Sequence, residues 1–229
     1  MNVIITGASR GIGYELAKKF VQNGHQVLAI ARSRDKLQQL EKELDSENFH
    51  FLEFDLSVAD YSKVLIPYVK ERFKKVDVLI NNAGLLINKP FEELTDDDFD
   101  QTFNVNIKSA FKLSRELLPV FNKGAHIVNI SSMGGVQGSA KFSGLSLYSA
   151  SKAALAVLTE CLAEELKNRN IKANALALGA VQTEMLSQAF PDYKAPLQAI
   201  EMAAFIADFA LTGHQYFNGK ILPVSVSTP

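Results

Sequence analysis

The sequence predicts an α/β protein in one domain, residues 1–229: a doubly wound, mostly parallel seven-stranded sheet with helices on both faces. Three observations predict it. Short Val/Ile/Leu-rich runs alternate with longer amphipathic stretches from end to end, the pattern of strands joined by crossover helices. The first of these runs ends in a glycine-rich turn that opens directly into an amphipathic stretch. No Pro/Gly/Ser linker, repeat or low-complexity tract divides the chain.

The elements follow in order. A strand at 2–6 (Asn-Val-Ile-Ile-Thr) leads to a helix at 11–23, a strand at 26–31 to a helix at 33–45, and a strand at 49–54 to a helix at 58–74. The strand at 76–81 precedes a helix at 96–121, and the strand at 125–131 precedes one at 148–169. A strand at 172–178, a helix at 199–211 and a strand at 220–224 complete the pattern. The acidic run Thr95-Asp96-Asp97-Asp98 reads as a helix start, with Thr95 capping the first amides and carboxylates offsetting the positive end of the dipole. The Gly/Ser-rich stretch 134–146 lies between a strand and a helix and reads as a loop over a site.

Composition excludes several function classes. With 24 Lys+Arg against 25 Asp+Glu the net charge is -1, so no global positive field exists to hold nucleic acid or an anionic membrane. The longest unbroken apolar run, such as 153–158, has six residues, and no basic, apolar leader opens the chain, so neither a membrane span nor a signal peptide is expected. Cys161 has no intramolecular partner, and His25, His50, His126 and His214 lack ligand spacing. This argues against a disulfide-stapled secreted fold and against a zinc site, and a reducing cytoplasm is the expected compartment.

Thr6-Gly7-Ala8-Ser9-Arg10-Gly11-Ile12-Gly13 joins the first strand to the first helix. Glycines there let the backbone turn sharply and approach a pyrophosphate, whose charge the free amides and dipole of the helix start would face. That fits a Rossmann-type dinucleotide site, with an ordinary strand-to-helix turn as the alternative, and the spacing departs from the common G-x-G-x-x-G because Gly7 and Gly11 are four apart and Gly13 follows two later. About twenty residues on, an NAD site places an acidic residue on the ribose hydroxyls. This chain has Ala31-Arg32-Ser33 there, with no acidic residue between Glu15 and Asp35. Arg10 and Arg32 are both able to bond a 2'-phosphate, which favours NADP(H); two solvated surface arginines are the bland alternative.

In Tyr148-Ser149-Ala150-Ser151-Lys152 the Tyr and Lys are one helical turn apart on one face. The spacing alone is not distinctive, because Tyr14/Lys18 and Tyr216/Lys220 share it. Context separates them. Asn218-Gly219 interrupts the last pair, Tyr14/Lys18 reads as packing beside solvent, and only Tyr148 follows a strand and a Gly/Ser loop, where an α/β sheet places its ligand crevice.

Taken together, these motifs resemble the short-chain dehydrogenase/reductase family over nearly the whole chain. The glycine turn, Asp55-Leu56-Ser57, Asn81-Asn82-Ala83-Gly84, Asn106, Ser132, and Tyr148 with Lys152 occur in the family's order. The resemblance implies that Asp55 holds the adenine edge, that Asn82, Ala83 and Gly84 support the cofactor side of the cleft, and that Val181 and Thr183 meet the nicotinamide end. The catalytic set it implies is Asn106, Ser132, Tyr148 and Lys152, with Gly7, Ser9, Arg10, Gly11, Ile12, Gly13 and Arg32 on the cofactor. It further implies that Asn106 holds a water linking Lys152 to solvent.

The chemistry itself needs these groups. Hydride arriving at a carbonyl carbon leaves charge on oxygen, so a proton donor and a hydrogen-bond donor must be aimed there. Tyr148 and Ser132 supply them, and a Lys152 cation nearby is expected to lower the phenol's pKa and to bond the nicotinamide ribose. Without that chemistry, Ser132 reads as a strand-end turn residue and Asn106 as a helix-bending polar residue.

Several features depart from the family. Ser132 and Tyr148 are 16 apart, so the intervening loop is enlarged and Ser131 or Ser146 remains an alternative to Ser132. Leu178-Gly179 stands where Pro-Gly is common, and the segment after Thr183, with Pro191 and Pro196, is short, which points to an open cleft. The tail 222–227 lacks the family's usual acidic residue and glycines, leaving subunit packing at that edge open.

The leading expectation is an NADPH-dependent carbonyl reductase working reversibly, with a 3-oxoacyl thioester on an acyl-carrier protein as one substrate class. Lys167, Arg169 and Lys172 either face such a carrier or complement a helix C-terminus. The alternatives are a non-catalytic NADP(H)-binding regulator and an isomerase or epimerase. Ala150, Ala153, Ala154 and Ala156 suit a second subunit's helix or internal packing; the resemblance favours a homodimer or homotetramer.

Overall fold

The computed structural model describes residues 1–57 and 60–226. The expected starting residue of the helix at 58 and the last tail residue, Ser227, lie outside them. Seven strands form one parallel sheet in the order β3-β2-β1-β4-β5-β6-β9: β1 Asn2–Thr6, β2 Gln26–Ala31, β3 Phe49–Glu53, β4 Val76–Asn81, β5 Phe121–Ser132, β6 Lys172–Leu178 and β9 Ile221–Val224. The winding reverses between β1 and β4, so their C-terminal ends border a crevice. Side chains alternate across each strand. Val3 and Ile5 face the core under α1 (Gly11–Gln22), α2 (Arg34–Leu44) and α8 (Ala199–Thr212). Ile4 faces the opposite core, under α3 (Ile66–Phe73), α5 (Ser109–Leu117) and α6 (Ser146–Glu165).

Three expectations are corrected. The helix expected at 96–121 is α4 (Asp96–Phe103), a π-turn (Asn104–Lys108) and α5, which stops at Leu117 because Pro119 has no amide to continue the ladder. The strand expected from 125 begins at Phe121, which pairs with Val76 ahead of a register shift. The chain after Thr183 holds α7 (Glu184–Ala189), flanked by a two-residue ladder of β7 (Val181–Gln182) and β8 (Leu197–Gln198) that is too short for periodicity to register. The capping at 95–98 is as expected: Thr95 Oγ1 accepts from Asp98 N and the Asp98 carboxylate from Thr95 N. Among the described residues no His/Cys/Asp/Glu group could hold a metal, and no helix is long and apolar enough to cross a membrane.

His126, buried on β5, illustrates how the sheet edge is fixed. Its Nδ1–H donates to Ala210 O (3.0 Å), and Nε2 accepts from Asn174 Nδ2 (3.0 Å). Asn174 is itself oriented by Lys220 N, which donates to Oδ1, and by Phe217 O, which accepts from Nδ2. A second proton on His126 would therefore meet an amide N–H. Burial, partly opposed by the Ala210 bond and reinforced by His214, pushes the imidazole down to about 4. Because the folded value lies below the unfolded value of 6.5, this contribution is intact above pH 6.5 and is lost as pH falls toward 4. Between pH 7 and pH 5 the wild type should lose about 2 kcal/mol more stability than His126→Gln, read by urea unfolding. Parallel pH dependences would show that His126 is not responsible.

Candidate active site

The glycine turn is shaped by backbone proximity. Gly7 and Gly11 have φ of 67° and 56°, in the left-handed region. A Cβ on Gly7 would lie 2.8 Å from Ala83 Cα, and one on Gly13 would collide with Gly7 O and Asn82 Nδ2. β4 reinforces the turn: Asn82 N and Ala83 N both donate to Thr6 Oγ1 (3.0 Å each), and Asn82 Nδ2 donates to Thr6 O (2.9 Å). Asn82 thus supports the turn from behind. Helix α1 starts at Gly11 with neither a side-chain cap nor an acidic residue in its first turn, so its amides and positive dipole end are available to an anion. Ser9, Arg10, Gly11 and Thr183 line a groove of about 730 Å³ there.

Asp55, just after β3, feels the charge of Arg32, just after β2. Burial raises the Asp55 carboxyl, but hydrogen bonds from Ser57 Oγ (2.6 Å) and Ser57 N (2.9 Å), with the Arg32 charge, leave it below its ordinary value. Arg32 is exposed at the end of β2. Neighbouring Arg34 engages Glu53, the acidic residue at the end of β3 (3.6 Å).

On the other side, the end of β5 and the first two turns of α6 bring Ser132, Tyr148 and Lys152 together. Ser132 stands beside Tyr148, where its hydroxyl acts to lower the phenol's pKa, and accepts from Gly134 N (3.2 Å). Lys152 is 3% exposed, donates from Nζ to Ile130 O (2.8 Å), and stands 5.7 Å from the Tyr148 ring centre. A Cβ on Gly84 would lie 3.5 Å from Lys152 Nζ and 3.7 Å from Asn106 Oδ1, so the four motifs converge.

Asn106 is buried in the π-turn, and its amide is engaged by protein. Oδ1 accepts from Leu85 N (2.7 Å), while Nδ2 donates to Leu85 O and Ser151 Oγ (2.9 Å each). The side chain braces the loop after β4 against α6. Ser151 closes the link by donating to Tyr148 O (2.7 Å). Leu85 and Ser151 were not legible as site residues, since their contacts with Asn106 cross 21 and 45 positions.

The electrostatics correct one expectation. Burial raises the Tyr148 phenol above its ordinary value, and the neighbouring Ser132 hydroxyl only partly offsets this. The same burial lowers the Lys152 ammonium to about 8, where the expectation treated it as an ordinary cation.

The alternatives separate as well. Ser131 is turned to the backbone of α6, donating to Lys152 O (2.8 Å), and Ser146 is exposed, so Ser132 is the serine at the tyrosine. Tyr14 and Lys18 both hold Glu43, tying α1 to α2 as a structural pair. The enlarged loop is ordered by Lys141 Nζ, which donates to Val136 O (2.7 Å) and Ser139 Oγ (2.6 Å). It docks through Gly144 O, which accepts from Lys89 N (3.2 Å), and Asn88 Nδ2 donates to Ala189 O (2.9 Å) at the end of α7. The expected open cleft is therefore bridged on this side. Val181 is buried in the core, and Thr183 Oγ1 caps α7 beside Gly11. Gly179 takes the close approach of Ser225, which explains a glycine there but leaves the missing proline without a structural reason.

A family model described as short chain dehydrogenase matches residues 1–194. The chain is 33% identical over 186 residues to a 3-oxoacyl-[acyl-carrier-protein] reductase of Thermotoga maritima, covering 80% of this chain and 74% of that protein. It is 34% identical over 187 residues to an L-xylulose reductase of Caenorhabditis elegans, covering 80% and 72%. A short chain dehydrogenase from Burkholderia cenocepacia J2315, crystallised in complex with NADP, superposes with a TM-score of 0.88 at 27% identity, covering 99% of this chain and 96% of that one.

Proposed function

The chain belongs to the short-chain dehydrogenase/reductase family and is an oxidoreductase, and from that premise we propose that it reduces a ketone with NADPH and reoxidises the alcohol in reverse. The observation that carries this reading is the convergence of three side chains, with the Ser132 hydroxyl beside the Tyr148 phenol and Lys152 Nζ 5.7 Å from the phenol's ring centre. The cradle at Gly7 and Gly13, with no room for a Cβ, and the uncapped start of α1 fit a pyrophosphate. Bound there, the nicotinamide supplies the hydride.

The chain's own groups supply the rest. Ser132 steadies the carbonyl oxygen as it gains charge, and Tyr148 delivers the proton to it. Lys152, held at Ile130 O, places a positive charge beside the phenolate that Tyr148 becomes. Asn106 keeps the Gly84–Leu85 backbone and Ser151 in place around that ammonium.

Arg10 and Arg32, with Glu53 engaged by Arg34, support NADP(H) over NAD(H). Arg32→Ala should raise the NADPH KM by about tenfold or more and leave the NADH KM nearly unchanged, since a charge-assisted bond contributes about 1.5–3 kcal/mol. Steady-state kinetics with both coenzymes checks this, and equal effects would remove the phosphate reading.

The Thermotoga relative's name supports a 3-oxoacyl thioester as one substrate class, and the nematode relative's a sugar ketone. Lys172 starts β6, whose far end, Leu178, pairs with Ser132, so it is remote from the cleft and lends a carrier-docking role no support. A homo-oligomer is supported by Ala150 and Ala153, which line an outward groove of about 690 Å³ with exposed Phe91 and Phe142. A ketone panel including acyl thioesters, followed by NADPH absorbance, tests the substrate.

A further inference from the structure

Two consecutive hydroxyls end β5, and each meets a different reactive residue of α6. Ser132 stands beside Tyr148, while Ser131, 3% exposed, donates from Oγ to the backbone carbonyl of Lys152 (2.8 Å). The preceding residue takes the other end of the same lysine, because Ile130 O accepts from Lys152 Nζ (2.8 Å). Both termini of Lys152 are thereby held by adjacent residues of one strand. Farther along the helix, Asn129 Nδ2 donates to Thr159 Oγ1 (2.8 Å), and both residues are fully buried. Thr159 is seven residues, two turns, beyond Lys152 and lies on the same face of α6.

Between these polar links the seam is apolar, with Leu155 and Ala156 buried against the sheet. Apolar contacts are non-directional and tolerate small slides of a helix along a strand, whereas a hydrogen bond weakens steeply with distance and angle. The Asn129–Thr159 bond anchors the middle of α6, one helical stretch away from the reactive turn. Ser131 acts at that turn.

We propose that Ser131 is a positioning residue: its bond to the Lys152 carbonyl, paired with the Ile130 carbonyl on Nζ, sets the height of Lys152 above β5 and with it the ammonium-to-phenol distance. The proposal rests on the carbonyl-reductase reading for its consequence in turnover, but the placement of the lysine is measurable without turnover.

The experiment uses the full chain with Ser131→Ala, Ser131→Cys and, as a structural comparator, Thr159→Val. Displacement of a reacting group by about 1 Å can cost up to about a hundredfold, so Ser131→Ala is expected to lower kcat by about tenfold, with NADPH affinity within about twofold. In NMR titration of 15N-lysine the Lys152 midpoint, about 8 in the wild type, should move up as the released ammonium reaches water. Ser131→Cys, nearly isosteric with a weaker donor, should fall between, and Thr159→Val should lower Tm while leaving kcat and the midpoint in place. The proposal is overturned if Ser131→Ala keeps both wild-type values, or if Thr159→Val reproduces both changes. Absence of turnover in the wild type would count against the carbonyl-reductase reading, and the titration would still judge the placement.

Discussion

Tyr148→Phe is expected to lower ketone reduction by about two to four orders of magnitude, the usual range for removing a general acid, while NADPH still binds. The substitution keeps the ring 5.7 Å from the Lys152 ammonium and removes only the hydroxyl beside Ser132. The fold has little reason to respond, because Ser132 keeps Gly134 N as a donor and Lys152 keeps Ile130 O as an acceptor. Loss of rate with unchanged Tm and unchanged coenzyme affinity therefore reports on the proton. Single-turnover reduction followed at the NADPH absorbance band, beside a fluorescence titration of NADPH, makes the comparison; a rate within a few-fold of wild type would remove Tyr148 from the role of acid.

Gly13→Ala should have the second large effect, and its sign is set by sterics against propensity. In a helix interior alanine is favoured over glycine by about 1 kcal/mol, and Gly13 lies within α1. Its added Cβ, however, would collide with Gly7 O and with the Asn82 side chain that bonds Thr6 O. Gly7 O is backbone, so relief requires the turn to open and Asn82 to release its carbonyl. Overpacking of this kind costs about 1–3 kcal/mol, and the displaced turn should weaken NADPH binding by about a hundredfold, equivalent to about 2.7 kcal/mol. Thermal unfolding and the same fluorescence titration measure both, and wild-type affinity in a folded Gly13→Ala would mean that the close approach is not part of the cofactor cradle.

The two variants probe opposite sides of one crevice. Under the proposed function Gly13 would govern whether an anion reaches the start of α1, and Tyr148 what happens to a proton at the end of β5. Asn82, Gly84 and Asn106 connect them through the loop after β4. A defect in coenzyme affinity alone or in rate alone is therefore attributable to one side.

By itself the sequence determined the alternation of strands and helices, the capping at 95–98, the glycine turn, and the order of the motifs through Tyr148 and Lys152. These are local signals: a period near two or near 3.6, a donor three residues from its acceptor, and glycine where φ is positive, all contained within a few neighbours. Only the tertiary structure decided which of three serines meets Tyr148, that Asn106 is spent on Leu85 and Ser151, and that β5 begins at Phe121. It also decided that Tyr148 is raised and Lys152 lowered. Those outcomes depend on contacts between residues far apart in the chain and on how deeply groups are withdrawn from water, and neither quantity exists until the sheet and its covering helices have closed around the site.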